Sequence, residues 1–242
     1  GYPHLTHLKV LQDRIFDPLG MTGSGYDTHE AIIEKRAIGY TPTYDGLANS
    51  AFLAMSSPYA AGSLYSTVED LARWDKALRG GKVLERREHK LMFTPHIEAL
   101  GGHYGYGWVL ERKLAGQDSV DVVQHGGGIN GFRAAFLRVP GENHVVATLG
   151  NVESSDPGGL AGHILALMRG GTVELPKPTG LVQLKETLDA DGPQAAIDLY
   201  ESMHADSTGE FSPGPPELRR LGSDLRALRE ISTRLHDVVG VM

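Results

Sequence analysis

Cysteine is absent from all 242 residues, which excludes disulfides, thiolate metal sites and cysteine nucleophiles, although it assigns no compartment. No apolar run approaches the roughly 20 residues that span a bilayer, and the first residues lack a basic-then-apolar leader pattern. Blocks of basic residues are missing too. With 23 Lys+Arg against 30 Asp+Glu the formal net charge is −7, which argues against nucleic acid as a partner. What is present is ordinary for a globular protein: 40% apolar and 22% charged residues, in a chain long enough for one cored domain plus an appendage.

The densest local signal is Val122-Val123-Gln124-His125-Gly126-Gly127-Gly128-Ile129-Asn130-Gly131-Phe132. Glycine at that density lets peptide N–H groups approach a ligand, and anions or developing oxyanions are the usual guests. Three readings compete. Gly126-x-Gly128-x-x-Gly131 matches the dinucleotide fingerprint, which requires a strand before it, a helix after it and a crossover unit of roughly 30 residues. Only the eight residues Phe132 to Val139 follow before the turn signal Pro140-Gly141-Glu142-Asn143, and His144 to Leu149 then resumes as a strand. That pattern is a hairpin without room for a crossover helix. The second reading is a merely structural Gly-rich turn. The third, favoured here, is the edge of an antiparallel sheet presenting His-Gly-Gly beside a nucleophile.

Four segments carry a resemblance. They are Ile15-Phe16-Asp17-Pro18-Leu19-Gly20-Met21, the run Ala61 to Trp74, Tyr104-Gly105-Tyr106-Gly107-Trp108, and the His125 run with its hairpin. In this order over about 160 residues, they resemble the serine β-lactamases, penicillin-binding proteins and related esterases, especially the class C-like branch. The resemblance implies that His125-Gly126-Gly127 stands where the family carries Lys-Thr-Gly. It further implies acyl transfer, with a serine attacking an ester, amide or lactam carbonyl and water releasing the acyl group. Gly128 would supply one oxyanion amide, Gly126 and Gly127 would let the strand lie against substrate, and His125 would hydrogen-bond a tyrosine or a substrate carboxylate. Histidine at position 125 resembles the esterase and D-amino-acid peptidase branches more than true β-lactamases.

The family's Ser-x-x-Lys nucleophile and Tyr-x-Asn motifs are missing, and no serine sits in Gly-x-Ser-x-Gly. The expectation is therefore a C-terminal portion whose catalytic segment would precede Gly1, inactive alone. Apolar surface near Leu5, Leu8 and Leu11 would then be exposed and prone to association. A non-catalytic binding or assembly module derived from the same fold is the alternative. No cofactor or metal is called for. The partners expected are a small ester, amide or peptide substrate and, through the C-terminal helices, a protein or a second copy.

Along the chain, Leu5, Leu8, Leu11 and Ile15 mark a helix that Asp17-Pro18 is expected to stop. Residues 22 to 60 read as ordered loops with short strands. Ser66-Thr67-Val68-Glu69 fits a capping box for a helix to Leu78, with Val68, Leu71, Ala72, Asp75 and Leu78 inward and Gly80-Gly81 ending it. Leu84 to Phe93 is a short helix. Tyr104 to Glu111, Ser119 to Gln124, Phe132 to Val139 and His144 to Leu149 are expected as four antiparallel strands, and Pro157 to Arg169 as a helix with Leu160, Ile164, Leu165, Leu167 and Met168 on one side. The fold class is α+β, an antiparallel sheet packed with helices, over residues 1–171. Residues 172–178 read as a linker, and 179–242 as a helical appendage whose last stripe runs from Leu218 to Val238.

Other candidates are weaker. His4-x-x-His7 lies on one helical face without an evident third ligand, and His29-Glu30-Ala31-Ile32-Ile33 misses the zincin motif at its last position. Tyr59, Tyr104 and Tyr106 are candidates to line a pocket, with Tyr59 assigned to substrate binding, although aromatics near glycine also serve as packing.

Overall fold

Residues 3–28, 30–43, 46–173 and 180–205 are described by the computed structural model. The chain divides into two compact units, one of residues 1–41 and 49–174, the other of 42–48 and 175–242.

The first unit enters as a helix in three pieces: α1 (Pro3–Leu11), a π-helical turn (Gln12–Phe16) and α2 (Asp17–Leu19). Asp17-Pro18 does not stop it. Proline removes a regular helical hydrogen bond and crowds the carbonyl one turn back. Here the preceding turn is already widened, closed by the Asp17 N–H on the Gln12 carbonyl, so the helix runs on to Gly20, whose φ of 66° ends it. Leu8 and Leu11 are half-buried. The Leu5 side chain lies outside the described residues, and among those described the most exposed large apolar residues are Ile32, Phe52, Leu100 and Leu114.

Short strands follow as expected: β1 (Gly25–Tyr26), then the ribbon of β2 (Tyr40–Thr43) with β3 (Gly46–Asn49), then β4 (Leu64–Tyr65), which pairs with β1. α3 (Val68–Arg79) starts one residue later than the capping box predicts. Thr67, not Ser66, is the N-cap and accepts from the Asp70 N–H at 3.2 Å. The acidic residue three places on is then Asp70. Its buried carboxylate does not turn back to the cap but accepts from the Gly23 N–H and the Ser24 hydroxyl, both at 2.8 Å, and pairs with Arg73. Of the expected inward stripe, Leu71, Asp75 and Leu78 do turn inward, whereas Val68 and Ala72 face solvent; Asp70, Trp74 and Ala77 complete the inner side.

After α4 (Arg86–Met92) come six strands, not four: β5 (Ile97–Ala99), β6 (Gly102–Tyr104), β7 (Val109–Ala115), β8 (Asp118–Ile129), β9 (Phe132–Arg138) and β10 (Val145–Gly150). They form one antiparallel meander in chain order. The predicted strand Tyr104 to Glu111 is broken at residues 105–108, where Gly107 has φ 77° and a Cβ on Gly105 would strike the Met92 carbonyl.

Alternation assigns the two faces of the sheet. Val120 and Val122 of β8, Ala135 and Leu137 of β9, and Val146 of β10 pack against Ala161, Ile164 and Leu165 of α5 (Pro157–Met168). Leu160, Leu167 and Met168, expected to point inward with them, are among the exposed large apolar residues. Val123 of β8, Phe136 of β9, and Val145 and Ala147 of β10 pack on the opposite face with Leu71, Trp74 and Leu78 of α3 and Met92 of α4. Helices thus cover both faces of an antiparallel sheet, an α+β arrangement.

Besides residues 42–43 and 46–48, the second unit's described residues form the helical segment α6 (Gly180–Ala205), broken at Gly192 (φ 86°) just before Pro193. Leu184 packs with Tyr200 and Met203, and Leu188 with Ala196 and Ile197, so the two arms bury their stripes on each other. The Leu218 to Val238 stripe lies outside the described residues.

Candidate functional site

The glycine run is strand, not loop. β8 continues through His125, Gly126, Gly127 and Gly128 to Ile129, and β9 begins at Phe132, so Asn130-Gly131 is a two-residue hairpin connection. No helix follows, which removes the nucleotide-binding reading. β8 is also not an edge strand of the sheet, as the sequence reading had it. It lies between β7 and β9, but β7 pairs only as far as Val109 opposite Gln124. From His125 to Ile129 no strand among the described residues pairs on the β7 side, and a local edge is left inside the sheet.

The register decides which backbone groups this edge offers. In a two-residue hairpin the closing pair, here Ile129 with Phe132, exchanges both of its backbone hydrogen bonds. Alternation then turns the N–H and C=O of His125, Gly127 and Ile129 toward β9, and those of Gly126 and Gly128 toward the open side. The same parity has Gln124 bonding to β7. Side chains alternate independently: His125 and Gly127 belong to the α3/α4 face, Gly126 and Gly128 to the α5 face.

His125 makes two side-chain hydrogen bonds. Its Nδ1 lies 2.6 Å from the Gly126 carbonyl and its Nε2 2.9 Å from the Tyr104 hydroxyl, with the rings edge to face at 6.0 Å. Tyr104 closes β6 and pairs with Val109, which pairs with Gln124, so the register itself delivers this tyrosine beside His125. Tyr106, on the turn that interrupts the predicted strand, pairs instead with His96 at 4.7 Å between rings.

Gly128 has a packing reason for being glycine. Its cross-strand partner Arg133 swings its guanidinium across the α5 face, and a Cβ on Gly128 would clash with Nη1 and lie 3.0 Å from Cζ. Arg133 Nε donates to the Glu153 carbonyl at 2.9 Å. Among the described residues nothing lies within 4 Å of where a Gly127 Cβ would stand, so on the α3/α4 face the strand is bare at this position. At the far end of the edge the Asn130 side-chain amide donates to the Ala51 carbonyl at 3.0 Å, and Gly39 abuts Gly131 and the Phe132 ring.

Tyr59 joins a different set of rings, lying 5.5 Å from His7, which also meets Tyr26 edge to face. The His4 side chain and His29 fall outside what is described. Among the described residues no group of three His, Asp or Glu side chains is arranged to hold a metal, and no helix is long and apolar enough to cross a membrane. The resemblance implies a hydrogen bond from His125 to a tyrosine without saying which; the structure supplies Tyr104, a candidate pocket residue, while the Arg133 support behind Gly128 has no counterpart in the sequence pattern. The available signal was the register of β6, hidden by the break at residues 105–108.

The arrangement can present two outward amides, an outward histidine–tyrosine pair and a side-chain-free strand to an extended or carbonyl-bearing ligand. A family model described as beta-lactamase matches residues 6–167. A Bacillus subtilis (strain 168) protein named as penicillin-binding, PbpX, is 31% identical over 109 residues, covering 45% of this chain and 26% of the relative. A human beta-lactamase-like protein is 27% identical over 141 residues, covering 54% and 26%. Among solved structures, the octameric penicillin-binding protein homologue from Pyrococcus abyssi superposes with TM-score 0.60 at 27% identity, over 76% of this chain and 42% of that one. D-amino acid amidase from Ochrobactrum anthropi SV3, complexed with D-phenylalanine, gives TM-score 0.50 at 26% identity, over 62% and 47%. The chain spans about a quarter of the length of these curated relatives.

Proposed function

The chain belongs to the beta-lactamase family of serine hydrolases, and from that premise we propose that it carries the substrate-facing strand of an acyl-transfer site. The observation that supports this best is the open side of β8, toward which alternation turns the amides of Gly126 and Gly128 beside the His125–Tyr104 pair. The substrate would be a small ester, amide or peptide lying along Gly126 and Gly127. Its carbonyl oxygen would accept from the Gly128 N–H as negative charge develops, with the second amide coming from the nucleophile's own residue. The serine oxygen bonds to the carbonyl carbon, the C–O or C–N bond breaks, the leaving group departs with a proton, and water then cleaves the acyl ester.

None of the chain's serines has lysine three places on, so we propose that the nucleophile is supplied from outside these 242 residues. Intact-mass spectrometry after incubation with a fluorophosphonate, and separately with a penicillin, tests this. The expected result is no adduct on the folded chain. A stoichiometric adduct would place a competent nucleophile within the sequence and overturn the reading. The octameric Pyrococcus homologue makes self-association a further part of the proposal. Light scattering of the full chain checks it, and a concentration-independent monomer would remove it.

A further inference from the structure

We infer that Tyr104 is a positioning residue for His125: its hydroxyl donates to Nε2, the ring is held as the Nδ1–H tautomer, and Tyr104 Oη becomes the pair's free acceptor. Groups with no choice of role fix the others. A backbone carbonyl carries lone pairs only, so at 2.6 Å from the Gly126 oxygen the His125 Nδ1 must be the donor. In the neutral ring the other nitrogen, Nε2, then holds a lone pair, and the hydroxyl 2.9 Å away donates to it. Both imidazole nitrogens are thereby occupied.

Tyr104 Oη has given up its hydrogen to this bond but keeps its own lone pairs. A ligand therefore meets an acceptor at Tyr104 and, at Gly128, an amide donor on the open strand edge. The complement is a molecule bearing an N–H or O–H donor together with a carbonyl. Gly126 is drawn into the same arrangement. Its carbonyl, turned to the open side by the strand's alternation, is taken by Nδ1, so it is the Gly128 peptide that remains for the ligand.

This inference stands without the acyl-transfer proposal, because it concerns where protons sit in the ligand-free chain. It is tested by long-range proton–nitrogen correlation on the full chain with ring-labelled histidine, about two pH units above the ordinary histidine pKa near 6.5. The His125 signals are identified by their loss in His125→Gln. The expected spectrum has Nδ1 protonated and Nε2 hydrogen-bonded through its lone pair. In Tyr104→Phe the Nε2 resonance should move toward that of a free pyridine-type nitrogen, with the melting temperature little changed. An Nε2–H tautomer in the unmodified chain would overturn the inference, as would a Tyr104→Phe spectrum with both nitrogens unmoved. Because the unmodified chain is read first, a poorly folded variant would not rescue it, and adduct formation with a fluorophosphonate separately reports on the acyl-transfer reading.

Discussion

Gly131 and Gly127 sit four residues apart on one hairpin and differ in what a methyl group would meet. Gly131 has φ 76°, and its Cβ would lie 2.6 Å from Gly39 Cα and strike Ser50 Oγ. Both the backbone conformation and the close approach require glycine there. Gly127 is extended, and its Cβ would enter open space. Gly131→Ala should therefore cost about 2 kcal/mol or more, from strain and displacement of Gly39 and Ser50 together. Gly127→Ala should cost less than about 1 kcal/mol. Urea denaturation of the two variants checks the contrast, and equal losses would mean that the strand edge is more closely covered than its geometry indicates. The same substitution at Gly127, neutral for folding, should weaken binding of any ligand that lies along β8, which separates a glycine kept for packing from one kept for access.

At the scale of elements, α3 is fastened in its first turn and in its second half by buried carboxylates. Asp70 ties its first turn to Gly23 and Ser24, and Asp75 pairs with Arg79 at 2.6 Å and reaches Arg138 of β9 at 3.1 Å. Arg138 is itself buried, with its guanidinium 4.9 Å from the centre of the Phe93 ring, and burial lowers its pKa against the opposing pull of Asp75. Removing one partner of a buried pair leaves the other charge uncompensated, so Asp75→Ala should destabilise by about 3 kcal/mol. Losing the cap in Thr67→Ala should cost about 1 kcal/mol, and thermal melts that ranked the two the other way would reject this assignment. These links also explain what the sequence could reveal. Strands β8, β9 and β10 and helix α5 were legible because their apolar patterning and their Pro, Gly and Asn stops act locally. The β5–β6 hairpin was not, because its two-residue turn is Leu100-Gly101, both with positive φ (55° and 78°), where Asn-Gly is the usual signal. The helix register was misread by one because either Ser66 or Thr67 can cap. Only the tertiary bonds of Asp70 to Gly23 and Ser24 select Thr67. At the site, the His-Gly-Gly run was visible, but Tyr104 comes to His125 through a three-strand register that no local pattern encodes.

Over the whole molecule, two groups with lowered pKa values should make stability depend on pH in different ranges. His89 stacks edge to face on Phe93 at 4.8 Å, and its pKa is lowered, first by burial and then by the charge of Arg138. Above pH 6.5 the ring is neutral whether the chain is folded or not, so it contributes nothing to pH dependence. Below that value the unfolded chain takes up the proton more readily than the folded one, and stability falls until the folded ring also protonates. Glu142 is shifted downward chiefly by its hydrogen bond to Arg169, which ties the β9–β10 turn to the end of α5. Its stabilisation is present above the ordinary carboxylate value of 4.5 and is lost as the pH drops through the lower folded value. Urea midpoints of the unmodified chain should therefore decline in two stages on acidification, the first beginning near pH 6.5 and the second below 4.5. His89→Gln should flatten the first stage and leave the second, and Glu142→Gln should do the reverse. Variants that moved both stages together would show that the acid response comes from net charge repulsion across the protein and not from these two packed groups.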